Sequence, residues 1–348
     1  NGRVHGYQME IDPSPRAWSG GIYDEGRRLW LYSMEFNPSA KKSFKNGTWN
    51  RYRIECIGNH IRTWVNGIPT AYLIDDLTPS GFIALQVHAI GKDEKPGRQI
   101  MWRNIRIKTK NLKPDLSGNI FVVNLLPNQL SEMEKRNGVK LLFDGVSTIG
   151  WKGAYKNSFP EKGWQVKDGL LSVQPSAGAE SANGDIVTNE LFSAFEFQFE
   201  FRLTEGANSG VKYFVTEKEN NQGSAIGLEY QILDDEKHPD AKLGTAGNRT
   251  IASLYDLIPS NKNPQAIKKI GEWNRGMIRV YPDNKIEHYL NGYKVLEYQR
   301  GTQMFGALVA RSKYAIWPEF GMAPEGRILL QDHGNQVDFR SVKIRTIQ

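Results

Sequence analysis

Glu229, Gln231, Gln331 and His333 stand at two-residue spacing within apolar runs. In an extended strand, residues i and i+2 share a face. Over 227–233, Leu228, Tyr230 and Ile232 therefore take one face, and Glu229 and Gln231 the other. Over 326–333, Ile328 and Leu330 face one way, while Gln331 and His333 share the other side with Leu329. A strand over 305–313 brings Arg311 and Lys313 to one face, and the loop 234–256 adds Asp234, His238, Arg249, Tyr255 and Asp256 above it. A carboxylate, imidazoles and cations in one groove can move a proton and stabilise the negative charge left behind. The same alternation also describes the ordinary wet face of an antiparallel sheet. Glu229, Asp234, His238 and His333 are donor types that suit a divalent ion, although their spacing matches no standard metal motif. No cofactor is required by this reading; a divalent metal is the one addition the donors would accommodate. There is no Gly-x-Ser-x-Gly elbow, His-Glu-x-x-His helix or phosphate-binding loop. His5, His60 and His288 have no such company and read as structural or surface residues.

The elements that position these groups occur twice. Gly6-Tyr-Gln-Met-Glu-Ile-Asp12 parallels Gly227-Leu-Glu-Tyr-Gln-Ile-Leu-Asp234, and Ile22-Tyr-Asp24 parallels Leu254-Tyr-Asp256. Gly47-Thr-Trp-Asn50 parallels Gly271-Glu-Trp-Asn274, and Trp64-Val-Asn-Gly67 parallels Tyr289-Leu-Asn-Gly292. Gly81 to His88 parallels Gly326 to His333, and Trp102 to Lys108 parallels Phe339 to Arg345. Blocks in one order indicate two copies of a domain. The first copy offers a second candidate site from Glu10, Asp12, Tyr23, Asp24 and His88, with Ile83, Leu85 and Val87 opposing Gln86 and His88. By the same comparison the first copy lacks about 80 residues at its start, and the natural protein is expected to be longer there.

Phe195-Glu-Phe-Gln-Phe-Glu-Phe201 alternates strictly, and Asn66-Gly67 and Asn291-Gly292 are hairpin turns between apolar runs. Short strands separated by Gly, Pro and Asn turns predict an all-β protein of sandwich or jelly-roll type. The expected division is 1–110 as the C-terminal part of a first sandwich, 111–140 as a linker, and 141–348 as a complete second sandwich. Leu126, Leu130 and Met133 carry helical spacing that predicts a short helix over 125–137, the only substantial one.

Among the 348 residues are nine Trp, 14 Tyr and 15 Phe, enough aromatic surface for two cores and for stacking on sugar rings. The net charge of +7 is spread among alternating signs rather than gathered into a stripe, and no nucleic-acid motif is present. No apolar run reaches membrane-spanning length. Cys56 alone excludes a disulfide framework and a cysteine zinc site. The chain opens at Asn1, which is compatible with a leader or a lipoprotein anchor upstream.

The blocks Leu142-Phe-Asp-Gly145, Gly150-Trp151, Trp164-Gln-Val-Lys-Asp-Gly169, Gly206-Ala-Asn-Ser-Gly210, Glu229-Tyr-Gln-Ile-Leu-Asp-Asp235, Gly271-Glu-Trp-Asn274 and Leu330-Gln-Asp-His333 together resemble the 3-keto-disaccharide hydrolase family. The resemblance covers 141–348 and, less completely, 1–108. It implies concanavalin A-like jelly rolls, a carbohydrate partner, a periplasmic or extracellular bacterial location, and action on glycosides oxidised at C3. A ketone at C3 acidifies C2–H, so a base can remove that proton and the C1 substituent then leaves. For that chemistry the sequence offers Glu229 or His333 as the base, His238 as the acid, and Lys313 or Arg311 as the electrophile at the ketone. Gln231, Asp234, Arg249, Tyr255, Asp256 and Gln331 would hold hydroxyls. The competing expectation is a carbohydrate-binding module without chemistry.

Overall fold

The computed structural model describes residues 2–92, 97, 99–176, 184–218 and 225–348. The first half contains β1 (Gly6–Met9), β2 (Ile22–Glu25), β3 (Leu29–Tyr32), β4 (Tyr52–Ile57), β5 (His60–Val65), β6 (Ile68–Ile74) and β7 (Val123–Asn124). The first three form one sheet in sequence order, and the next four form another. After the short helix α1 (Glu132–Arg136) come β8 (Lys140–Leu141), β9 (Trp151–Gly153), β10 (Trp164–Lys167), β11 (Leu170–Val173), β12 (Ile186–Thr188), β13 (Phe195–Leu203), β14 (Asn208–Val215) and β15 (Leu228–Leu233). The chain continues through β16 (Asn274–Val280), β17 (Lys285–Leu290), β18 (Tyr293–Gln299), helix α2 (Gln303–Ala310), β19 (Arg327–Leu330) and β20 (Val337–Thr346).

The second half is a β-sandwich. One sheet runs β10-β11-β20-β13-β16-β17-β18, with β8 against β20, and the other runs β15-β14-β19-β12-β9. Alternation in β13 sends Phe195, Phe197, Phe199 and Phe201 into the core. There they meet Leu228, Tyr230 and Ile232 of the facing sheet; Phe199 and Tyr230 lie edge to face at 5.3 Å. On the opposite face of β13, Glu196 is held by Arg279 and Arg345, and Glu200 by Arg340. Gly276 is required opposite Phe199, because a Cβ there would lie 2.3 Å from the ring. His288 is fully buried between the Tyr213 hydroxyl and the Ala252 carbonyl, and burial pushes its pKa down to about 4. It is structural, as its sequence context implied.

The two halves pack together. Trp18 and Trp30 of the first half join the aromatic core of the second. Arg275 donates to the carbonyls of Trp30 and Leu31 at 3.3 and 3.1 Å, and Lys268 donates to that of Arg28 at 2.7 Å.

Three expectations are corrected. The segment 303–310 is helix α2, because Thr302 caps it through Phe305 N–H and its residues are mostly good helix formers. The helix expected over 125–137 shrinks to Glu132–Arg136, where Ser131 and Glu134 form a capping box, so it is not the only substantial one. The segments 81–88 and 102–108 are not strands. Their counterparts β19 and β20 each lie between two neighbours, whereas no strand among the described residues flanks these segments. A period-2 sequence without neighbours forms no ladder. His88 therefore sits on an exposed irregular segment, where its Nδ1 meets Ala89 O at 2.6 Å.

Candidate active site

Glu229 lies on β15, directly opposite Lys212 of β14, with Gln231 opposite Gly210. Only 4% of Glu229 is exposed, and the loop after β15 folds back along the edge of that strand. The backbone of that loop pairs with β15: Tyr255 N–H donates to Glu229 O and Ala252 N–H to Gln231 O. Gly210 makes room for the carboxylate, since a Cβ there would fall 2.4 Å from Glu229 Oε1. Burial pushes the Glu229 pKa up, opposed by the positive charges of Lys212 and Lys313, reinforced by Asp185 and again opposed by His333. Lys212 Nζ lies 3.9 Å from Asp185 Oδ2 and donates to Ala225 O. Lys212 and Asp185 escaped the sequence reading. Parity with Gly210 on the non-core side of β14 was the available signal for Lys212.

Lys313 arrives by a different route from the expected strand. It follows α2 in a short 3₁₀ turn, and its backbone N–H donates to Asp256 Oδ2 at 2.8 Å. Its ammonium lies 4.1 Å from the centre of the Tyr255 ring, a cation–π contact. Desolvation lowers its pKa, opposed by Glu229 and reinforced by Lys212 and Arg249. Arg249 braces this side by donating to Asp256 Oδ1 and Asp240 Oδ1, and Tyr255 OH donates to Asp240 Oδ2. Asp240, unnoticed in the sequence, thus ties three expected residues into one frame.

His238 and His333 meet edge to face, with ring centres 5.9 Å apart. His238 Nδ1 accepts the Asp240 backbone N–H at 3.2 Å, which places the ring proton on Nε2. Desolvation, reinforced by the His333 charge, lowers its pKa, so the neutral ring is favoured. Gln331 continues the end of β19, its N–H bonded to Gly210 O. Gln231 is buried; its Oε1 accepts Ile232 N–H, and its Nε2 has no partner among the described residues.

Two expected residues have other work. Asp234 accepts the backbone N–H groups of Gly206, Glu236 and Lys237, so its carboxylate closes a turn instead of facing a sugar. Burial would raise its pKa, but those donors hold it below the usual range. The donor set Glu229, Asp234, His238 and His333 is accordingly not assembled, and no group of three or more potential metal ligands gathers among the described residues. Arg311 is the exposed C-cap of α2 rather than a residue of a strand.

In the first half, Glu10 is half-buried and accepts Gln8 Nε2 at 2.9 Å. Burial pushes its pKa up, opposed by Arg16, reinforced by Asp12 and opposed again by His88. Asp12 closes a turn on Ser14 N–H and Trp18 N–H, as Asp234 does in the second half. Asp24 is buried between Arg27 and Arg28, and Tyr23 packs on Trp30.

The sequence profile of the family described as the 3-keto-alpha-glucoside-1,2-lyase-like domain matches residues 1–108 and 138–345. The chain belongs to this family. A 3-keto-disaccharide hydrolase of Bacteroides thetaiotaomicron is 36% identical over 233 residues, spanning 61% of this chain and 79% of the relative. A solved structure of a candidate glycosyl hydrolase from Parabacteroides distasonis is 29% identical, with a TM-score of 0.55 over 64% of this chain and 100% of that one. The Parabacteroides structure is similar in fold to the all-β sandwich described above. Among the described residues no helix is long and apolar enough to cross a membrane.

Proposed function

We propose that this protein cleaves glycosides carrying a ketone at C3, using the second-half cluster. The observation that carries the reading is the gathering of a buried carboxylate, two ammonium groups and a pair of imidazoles beside β15. The family relationship supplies the substrate class.

Glu229 takes the proton from C2. Its raised pKa makes it a stronger base than an ordinary carboxylate. The electron pair of the C2–H bond moves into an enolate whose negative oxygen is the former ketone, and Lys313 supplies the positive charge at that oxygen. The pair then returns to expel the C1 oxygen, which takes up a proton. His238 is poorly suited to give that proton, because its Nδ1 is occupied as an acceptor and its neutral form is favoured. The role passes to His333, which the His238 ring orients. Addition of water across the new double bond completes a net hydrolysis. Asp240 and Arg249 keep Tyr255 and the Lys313 backbone in place. Gln231 and Gln331 lie on the same side of the sheet as sugar-facing amides.

The test is to incubate the protein with a chromogenic 3-keto-glucoside and with the unoxidised glucoside. Release of the chromophore from the keto compound alone is expected. Equal release from both would assign an ordinary glycosidase mechanism, and release from neither, with sugar binding retained, would favour a binding module.

A further inference from the structure

The core of the second half holds a chain of polar bonds that ends on the active-site loop. Tyr298 of β18, Tyr213 of β14 and His288 of β17 are buried together. Tyr213 OH lies 2.8 Å from Tyr298 OH and 2.9 Å from His288 Nε2, and His288 Nδ1 lies 3.0 Å from Ala252 O. A carbonyl only accepts, so the single N–H of the neutral ring is at Nδ1. Nε2 then accepts from Tyr213, and Tyr213 accepts from Tyr298.

Ala252 is a turning point of the loop. Its N–H donates to Gln231 O of β15 at 2.8 Å, and further along Tyr255 N–H donates to Glu229 O at 3.0 Å. Its φ of 63° is left-handed backbone, which an alanine seldom adopts and which persists only where the surroundings hold it. The stretch that His288 grips leads into Tyr255 and Asp256, the two residues against which Lys313 is set.

The first half builds the same tether from different atoms. Thr63 of β5 precedes Trp64 as His288 precedes Tyr289, and Gly20 stands two residues before Ile22 as Ala252 stands before Leu254. Thr63 Oγ1 donates to Gly20 O at 2.6 Å. Gly20 has φ 88°, and its N–H donates to Glu10 O at 2.9 Å. In both halves a side chain from the other sheet holds one loop carbonyl, while the N–H of that same residue holds the strand carrying the acid.

We propose that His288 is a positioning residue: by holding the Ala252 carbonyl from across the core, it sets the loop that carries Tyr255 and Asp256 and, through them, the place of Lys313. The catalytic consequence rests on the proposed cleavage of 3-keto-glycosides; the tether does not.

Three variants of the full chain test it. In His288→Asn the amide N–H takes the place of Nδ1, in His288→Gln the amide takes that of Nε2, and Tyr298→Phe removes only the far end of the chain. Amide hydrogen exchange at Ala252 and Tyr255, measured relative to Ile278 and Ile286 in the core strands, should quicken about ten-fold or more in His288→Gln and stay within about two-fold of wild type in the other two. On a 3-keto-glucoside, His288→Gln should lower kcat about ten-fold or more with a smaller change in KM, because Lys313 is displaced from the charge that develops in the transition state. A purely structural role would lower the melting temperature of all three variants and leave loop exchange and kcat alike among them. Unchanged loop exchange in His288→Gln, or equal quickening in Tyr298→Phe, would overturn the proposal. Should His288→Gln fail to fold, His288→Asn still decides: loop exchange quickened there, with the core strands unchanged, would also overturn it. If the wild-type protein does not cleave the keto compound, the proposed reaction fails, and the exchange measurement still tests the tether.

Discussion

The two halves put similar residues on corresponding strands but assemble only one of the two clusters. Register shows why. Gln8 of β1 pairs with Tyr23, and Glu229 of β15 bonds through its carbonyl to the matching Tyr255. Gln8 thus occupies the place of Glu229, and Glu10 that of Gln231. The carboxylate has moved by one pleat, from the centre of the cluster to its margin. β15 also has β14 beside it, bringing Lys212 opposite the acid, whereas β1 has no neighbour on that edge among the described residues. Lys313 has no counterpart beside Glu10, whose cation is Arg16. In the proposed mechanism, the order of two residues thus separates a half that could abstract a proton from one that could not.

The sharpest way to break this comparison is to remove each acid. Glu229→Gln should lower kcat on a 3-keto-glycoside by about 10²–10⁴-fold, the usual contribution of a general base. Glu10→Gln should leave kcat within about two-fold, since Glu10 stands outside the proposed cluster. Steady-state kinetics on both variants decides it, and a reversed order would move the chemistry to the first half. Lys313→Met should cost about 10²–10³-fold in kcat with a smaller effect on KM, because the charge it meets is largest in the transition state.

Stability should show the same asymmetry. Ile278→Ala removes a fully buried side chain and should cost about 2–5 kcal/mol by denaturant unfolding. Ile54→Ala, at the matching exposed position of β4, should change stability by less than about 0.5 kcal/mol. Equal costs would mean that β4 is covered in solution.

The smallest effect is on pH dependence. In the proposed mechanism Glu229 acts deprotonated, so the burial that raises its pKa should move the acid limb of kcat/KM upward. Lys212 opposes that rise, so Lys212→Met should move the limb to higher pH. A shift to lower pH would show that Lys212 acts on Glu229 by some other means.

Much of this was legible in the sequence wherever period-2 alternation met two packed neighbours. Leu228, Tyr230 and Ile232 do line the core, with Glu229 and Gln231 on the other side. The same alternation failed at 81–88, because a pattern reports which face would be buried and not whether a partner strand is present. Gln303 to Ala310 failed for another reason: a short, mostly apolar run is ambiguous between strand and helix, and the Thr302 cap decides it. Lys313 was assigned to the cluster by a strand that does not exist and reaches it through a turn. The three bonds of Asp234 are to backbone N–H groups, which leave no trace in side-chain spacing.

The central claim is that the second-half carboxylate removes the proton next to the ketone. Its most direct test is to compare a 3-keto-glucoside bearing protium at C2 with one bearing deuterium, measuring cleavage by the wild-type protein and by Glu229→Gln. The account predicts a primary isotope effect on kcat/KM in the wild type and loss of cleavage in the variant. Cleavage that is indifferent to deuterium at C2 and undiminished in Glu229→Gln would contradict it.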